Sequence, residues 1–374
     1  MVLLAGCAET VPVQLVEDKP IAQEEAAPEE VPPVDETYNA KITAVGDLMV
    51  HEWQFDDAFD KATNTFDFNK SFDKIRPYLE NSDFTIGNLE TTFAGEARPY
   101  SFFPAFNTPD AFAAALANAG FDWVSTANNH CNDARADGIS RTIDILDAAG
   151  IAHAGTYKTK EERDTIFIKE INNIKFAFIS YTYGTNGIPT DTDYRVNLID
   201  KEKILADIGA AKENSDCIIM FMHMGTEYAD LPNAQQLELT REMIGAGAGV
   251  VLISHPHVLQ KAEYVTADNG NVGFAAYSLG NFISCQRTLP RDEGVIFNLY
   301  FQKSGEETTL TAVDYIPTWV QFINGKGVYD IQVLPVQDTL AAYDNGADVN
   351  LRPKDITRLR AVAKDIPNRI SLEE

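Results

Sequence analysis

Cysteine is nearly absent from this chain, and positive charge is in deficit. Only Cys7, Cys131, Cys217 and Cys285 occur in 374 residues. Three thiols beyond Cys7 make no disulfide framework, and no Cys-x-x-Cys pair exists. This excludes a disulfide-stapled scaffold and a thioredoxin-like motif, while leaving one bridge open. Thirty Lys plus Arg face 56 Asp plus Glu, a formal net charge of −26. Such a surface repels nucleic acid and anionic membranes, so no nucleic-acid partner is expected. An anionic substrate then needs a local attractor, which a bound metal ion supplies. No apolar run of transmembrane length follows residue 7, and no internal repeat is visible. Histidine is scarce as well, with six in the chain, so each placement carries information.

The N-terminal segment reads as processing and spacer rather than fold. Leu4-Ala5-Gly6-Cys7 has the form of a bacterial lipoprotein cleavage box, but residues 1–7 are too short for a complete signal. The expectation is a lipoprotein lipidated on Cys7, with its signal lying upstream of this sequence. Residues 8–38 hold nine acids, one lysine and five prolines, a composition that cannot bury a core. They are expected to form an acidic, Pro-rich disordered linker to one folded domain over 39–370.

From Lys41 onward, short apolar runs alternate with amphipathic stretches. Strands are predicted over 42–45, 84–87, 121–127, 217–222 and 250–253. Helices are predicted over 69–79, 110–119 (with Thr108 as N-cap), 139–149, 199–212 and 237–246. A hairpin over 165–181 turns at Asn172-Asn173. Strands over 272–277, 295–302, 310–317 and 328–333 follow without intervening helices, and 355–363 closes as a helix. Alternation followed by consecutive strands predicts an α/β domain with a mixed sheet or two packed sheets.

Five apolar strands end in residues able to bind metal or move protons. These are Asp47, Glu90, Asn129-His130, His223 and His255-Pro256-His257, and they use four of the six histidines. In open α/β sheets, ligands bind beyond the carboxyl ends of strands, so residues about two hundred positions apart can converge. Proline disfavours helix at the residue before it. His255 is therefore predicted to be extended, with both imidazoles of the His-x-His facing one point. His51 and His153 lie outside this pattern and are predicted at the surface.

Together these residues resemble a known family. Gly46-Asp47-Leu48-Met49, Asn88-Leu89-Glu90, Ala127-Asn128-Asn129-His130, His223-Met224-Gly225-Thr226-Glu227, His255-Pro256-His257 and Ser278-Leu279-Gly280-Asn281-Phe282 follow the order seen in CapA/PgsA-type capsule (poly-γ-glutamate) synthesis proteins. That group looks like a distant relative of calcineurin-like metallophosphoesterases. The resemblance covers roughly residues 40 to 300. It implies a four-layer α/β/β/α sandwich with mixed sheets and a metal centre at the strand ends. It further implies Asp47, Glu90, Asn129, His223, His255 and His257 as ligands, with the last two facing different ions. His130 is the implied proton donor to the leaving group. Glu227 is implied as an acceptor holding an imidazole or as a general base. Asn88, Asn128, Asp133 and Asn281 surround the site. Carboxylate, amide and imidazole suit one or two divalent ions, Mn, Zn or Fe.

Three positions depart from that pattern. Met49 occupies the slot where the phosphoesterase motif has histidine, and a thioether is a poor ligand for these ions. Glu90 replaces the usual aspartate and is one methylene longer. Arg135 stands where glycine is expected. His51, four residues after Asp47, is a candidate replacement for the missing ligand.

The resulting expectation is an extracytoplasmic, lipid-anchored, metal-dependent hydrolase acting on an anionic polymer or phosphoester, beside membrane-bound capsule synthase subunits. Phosphoester and amide (γ-glutamyl) hydrolysis both stay open. The alternative is a non-catalytic, metal-stabilised accessory subunit, which Met49 favours and His130 disfavours.

Overall fold

The computed structural model describes residues 36–370 apart from 326, 327 and 348, together with residue 372. Cys7 and nearly all of the acidic linker lie outside the described residues.

Two mixed sheets form the middle of the domain. In the first, Thr37–Leu48 pairs in parallel with Phe84–Leu89, which continues through Trp123–Ser125 to Ala152–Ala154. On its other side Glu293–Ser304, Glu307–Gly325 and Val328–Pro335 add antiparallel strands. In the second sheet Ile174–Thr182, Cys217–His223, Val250–Ser254 and Val272–Ala276 run parallel. Ala262–Thr266 and Phe167–Ile171 close its edges antiparallel.

The apolar runs explain the layering. Each central strand is buried on both faces, so its two sets of alternate side chains meet different neighbours. Ile42, Ile86 and Trp123 of one sheet pack against Phe178, Phe221 and Leu252 of the other. The Trp123 ring lies 5.5 Å from Phe178 and 6.1 Å from Phe221. Burial alone makes each phenylalanine here worth about 1.5–3 kcal/mol. The opposite faces carry the helices. Val45, Leu48 and Val124 meet Phe112, Leu116 and Leu146 of Ala111–Asn118 and Arg135–Ala149. Ile179, Met220 and Val251 meet Ile204, Ile208, Met243 and Ile244 of Lys201–Lys212 and Ala234–Ala246. The result is the α/β/β/α sandwich that the resemblance implies.

Local predictions fail where tertiary pairing or a proline intervenes. The first strand runs past Gly46 to Leu48, because Asn281–Ile283 joins it in parallel through Asp47↔Asn281 and Leu48↔Ile283. Gly46 is needed for that approach: a Cβ there would stand 2.0 Å from the Gly280 carbonyl oxygen. The helix predicted over 69–79 splits into a 3-10 turn, Asn69–Phe72, and Arg76–Glu80. Pro77 has no N–H to return to the preceding turn. Thr108 is not a helix cap. Its hydroxyl bonds the Thr91 hydroxyl at 2.6 Å, and the helix begins at Ala111 behind Asp110. At the hairpin, Asn172 and Asn173 have φ of 49° and 64°, as a two-residue turn between twisted strands requires. Among the described residues no bridge forms: Cys131, Cys217 and Cys285 are free thiols. Among the described residues, no helix is long and apolar enough to cross a membrane.

Candidate metal centre

The two sheets deliver their parallel strands to one end, and the strand-end residues meet there. Asp47, Asn88, Glu90, Asn128, Asn129, His130, His223, His255, His257 and Asn281 are all buried. Ligand atoms of Asp47, Glu90 and His223 lie within 4.8 Å of one another.

Asn88 ties the first two corners together. Its Nδ2 donates to Asp47 Oδ1 at 2.8 Å and lies 3.3 Å from His223 Nδ1. The other His223 nitrogen, Nε2, is 2.9 Å from Asn129 Oδ1 and 3.8 Å from Glu90 Oε1. Asn128 donates to the Leu89 carbonyl at 2.7 Å, and its Oδ1 accepts the His130 N–H at 3.1 Å. The asparagines therefore fix the loop that presents Asn129 and His130. On the far side, His257 Nδ1 lies 3.0 Å from both Asp47 Oδ2 and Asn281 Oδ1. Its Nε2 faces Glu90 Oε1 at 3.7 Å. Acceptors on Nδ1 put the proton there and leave the Nε2 lone pair directed at Glu90.

His130 stands slightly apart. Its Nδ1 is 2.8 Å from Asp133 Oδ2, which also accepts the Phe106 N–H at 2.7 Å. The Phe106 ring meets His130 edge-on at 4.7 Å. One imidazole nitrogen is thus held by a carboxylate, and Nε2 is left for exchange.

The electrostatics mark a site built for a cation. Both carboxylate oxygens of Glu90 are buried and have no hydrogen-bond partner among the described residues. Burial, followed by the neighbouring Asp47, raises the Glu90 pKa well above the ordinary carboxylate value. Burial also opposes ionisation of Asp47, but hydrogen bonds from His257 and Asn88 outweigh it and hold that carboxyl below its usual value. Burial pushes His223 well below the ordinary imidazole value and His255 to about 4, with the neighbouring histidines adding to the shift. Nδ1 of His255 is a further buried nitrogen without a partner among the described residues. Unpaired buried carboxylate oxygens and neutral imidazoles are costly alone and satisfied together by a divalent ion. The donor set of Asp47, Glu90 and His223 therefore fits a divalent metal, with Asn129 and His257 against it and His255 beside His223.

Several residues differ from expectation. His255 is not extended: its φ is 105°, and His257 has φ 58°. The preceding-proline rule favours a negative, extended φ, and the tertiary turn overrides it here. The turn is held by Tyr228 N–H donating to the Pro256 carbonyl at 2.8 Å and Met224 N–H to that of Ser254 at 3.1 Å. The two imidazoles consequently have different neighbours. His255 lies 4.9 Å from His223, while His257 turns toward Asp47. Glu227 is exposed and holds no imidazole among the described residues. His51 and His153 are partly buried rather than on the surface. Nδ1 of His51 accepts the Cys285 N–H at 3.3 Å, which removes that nitrogen as a replacement for the ligand absent at Met49. Burial, then the nearby His257, lowers the His51 pKa to about 4.

Two aromatic residues at the rim were not among the sequence candidates. Tyr183 packs on His255 at 4.6 Å, and Tyr228 stacks on His257 at 6.0 Å. Tyr228 has φ 65°, strained for a bulky side chain. It follows the His-x-Gly-x-Glu motif directly, so adjacency to that motif was the one available clue.

Residues 41–286 match the family described as bacterial capsule synthesis protein PGA_cap. The chain belongs to that family. Its curated relatives include a capsule biosynthesis protein CapA of Bacillus anthracis, 27% identical over 306 residues, covering 78% of this chain and 71% of the relative. A PGA biosynthesis protein CapA of Bacillus subtilis is 26% identical over 281 residues, covering 73% of this chain and 71% of its own. Among solved structures, a calcineurin-like phosphoesterase from Bacillus subtilis overlays with a TM-score of 0.47 at 13% identity. That overlay covers 88% of this chain and 98% of the other. The PGA_cap match ends at residue 286, so the three long antiparallel strands and the closing helix lie beyond it.

Proposed function

We propose that this chain is a metal-dependent hydrolase of the extracytoplasmic face, lipid-anchored through Cys7, acting in the synthesis or handling of an anionic capsule polymer. The observation that carries the reading is Glu90. A carboxylate with two buried, unpartnered oxygens beside Asp47, His223 and His257 is a liability without a cation and a ligand with one. A bound Mn, Zn or Fe ion supplies Lewis acidity and lowers the pKa of water. The chain's own residues do the rest. Asn88, Asn128 and Asn281 orient the ligands, and Asp133 fixes His130 so that Nε2 can hand a proton to the leaving atom. Phosphoester and γ-glutamyl amide bonds are both substrates of this chemistry. The relatives' names favour the polymer.

The second reading is a non-catalytic, metal-stabilised subunit of a membrane synthase. Met49 favours it, standing buried where the phosphoesterase pattern has a histidine ligand. The test is hydrolysis by the metal-loaded protein of a phosphoester panel and of poly-γ-glutamate, with His130→Ala alongside. Turnover that falls at least a hundredfold in the variant supports the enzyme. Metal without turnover of either substrate supports the subunit. For the anchor, Cys7→Ala expressed with its full upstream reading frame should leave the membrane fraction; equal membrane binding removes that part of the proposal.

A further inference from the structure

Arg291 stands out in a chain where acids outnumber bases by 56 to 30. Its neighbours in space and sequence are paired. Arg358 binds Asp292 at 2.7 Å and also bonds Glu293, while Arg287 lies 3.8 Å from Asp292. No carboxylate lies within ion-pair distance of Arg291 among the described residues. Its guanidinium instead lies 3.3 Å from the centre of the Tyr228 ring. Stacking uses the face of a guanidinium and leaves the N–H edge free, and that edge is what binds a carboxylate or phosphate in bidentate fashion.

The platform is tied to the metal centre at three points. The Tyr228 ring stacks on His257, and the Tyr228 N–H is bonded to Pro256 between the two histidines. On the other side, the Arg291 carbonyl accepts Asn281 Nδ2 at 2.9 Å, and Asn281 Oδ1 holds His257. Arg291 and the ligand His257 are thus fixed relative to one another by side chain and by backbone.

We infer that Arg291 is the anion-recognition residue of this site, its free edge taking an oxyanion of the substrate next to the bond presented at the metal centre. The inference rests on the proposed hydrolytic site and adds its substrate requirement: a negative charge, carboxylate or phosphate, flanking the reacting group. It also answers how a chain of net charge −26 receives an anion, through one unpaired guanidinium at the mouth of the site.

The experiment is calorimetric binding of inorganic phosphate and of a short γ-linked glutamate oligomer to the full, metal-loaded chain, for wild type, Arg291→Lys and Arg291→Gln. Metal content is measured on each sample. Arg291→Gln is expected to weaken the binding anion about ten- to hundredfold. Arg291→Lys should fall between, because it keeps the charge and loses the fork, and metal content should stay unchanged. Whichever probe binds identifies the oxyanion. Equal binding by wild type and Arg291→Gln overturns the assignment. So does a wild type that holds metal and binds neither probe, which leaves the metal site standing. A chain that takes up no metal refutes the hydrolase reading instead, and Arg291 is then judged on anion binding alone.

Discussion

His257 Nδ1 is 3.0 Å from Asp47 Oδ2, joining two residues 210 positions apart and one strand end from each sheet. The same nitrogen is 3.0 Å from Asn281 Oδ1, so the amide helps set which imidazole nitrogen faces Glu90. Asn281→Ala removes that acceptor and frees the ring to rotate. Metal affinity, read by competition with a chromogenic chelator, should fall about 10–100-fold. Unchanged affinity would mean that Asp47 alone orients the ring.

Glu90→Gln separates the ligand role from a packing role. Burial favours the protonated form of Glu90, which glutamine resembles in size and charge. The metal-free variant should therefore unfold within about 1 kcal/mol of wild type in urea. Metal is expected to stabilise wild type by about 2.7 kcal/mol at a hundredfold excess over Kd and the variant far less. Equal stabilisation of both proteins counts against Glu90 as a ligand.

The same shift fixes a pH dependence. Glu90, raised in the folded state, keeps a proton that the unfolded chain has released, so its contribution falls as pH rises toward the folded value. His51 and His255, lowered to about 4, act oppositely, and their contribution is lost as pH falls from 6.5 through 4. In the metal-free protein the two histidines therefore cost stability toward acid, and Glu90 costs it as pH rises toward its raised folded value. At pH values below the raised Glu90 value, metal uptake should displace protons. Calorimetry in buffers of different ionisation enthalpy measures them, and zero release contradicts the protonated Glu90.

Gly46→Ala tests the strand crossing that places Asp47. The new methyl would meet the Gly280 carbonyl oxygen at 2.0 Å, a backbone atom that cannot rotate away. A destabilisation of about 1–3 kcal/mol is expected by thermal or urea unfolding, with metal affinity falling in parallel. A variant as stable and as tightly metal-binding as wild type shows that the two strands can part without disturbing the site.

Much of this was legible in the chain, for identifiable reasons. The runs before Asp47, His223 and His255 are buried on both faces, and such strands read as continuous apolar text. Their polar ends therefore stood out, and the parallel topology brought them together. The strand Asn281–Ile283 was illegible because three residues carry no periodicity; only pairing with Asp47 and Leu48 makes them a strand. The turn at His255 is not legible locally, because the residue-before-proline rule sees only neighbours, while the turn is held by hydrogen bonds from Met224 and Tyr228. Tyr228 and Arg291 are distant in sequence and meet only through the turn and Asn281, so no spacing betrays them.

The most direct test of the metal centre is elemental analysis of natively purified protein, wild type beside an Asp47→Asn, Glu90→Gln, His223→Ala triple variant, with hydrolysis measured on the same samples. The account predicts one or two divalent ions per wild-type chain, none in the variant, and turnover that tracks the metal and falls with His130→Ala. A wild-type chain that carries no metal and takes none up on reconstitution would contradict it.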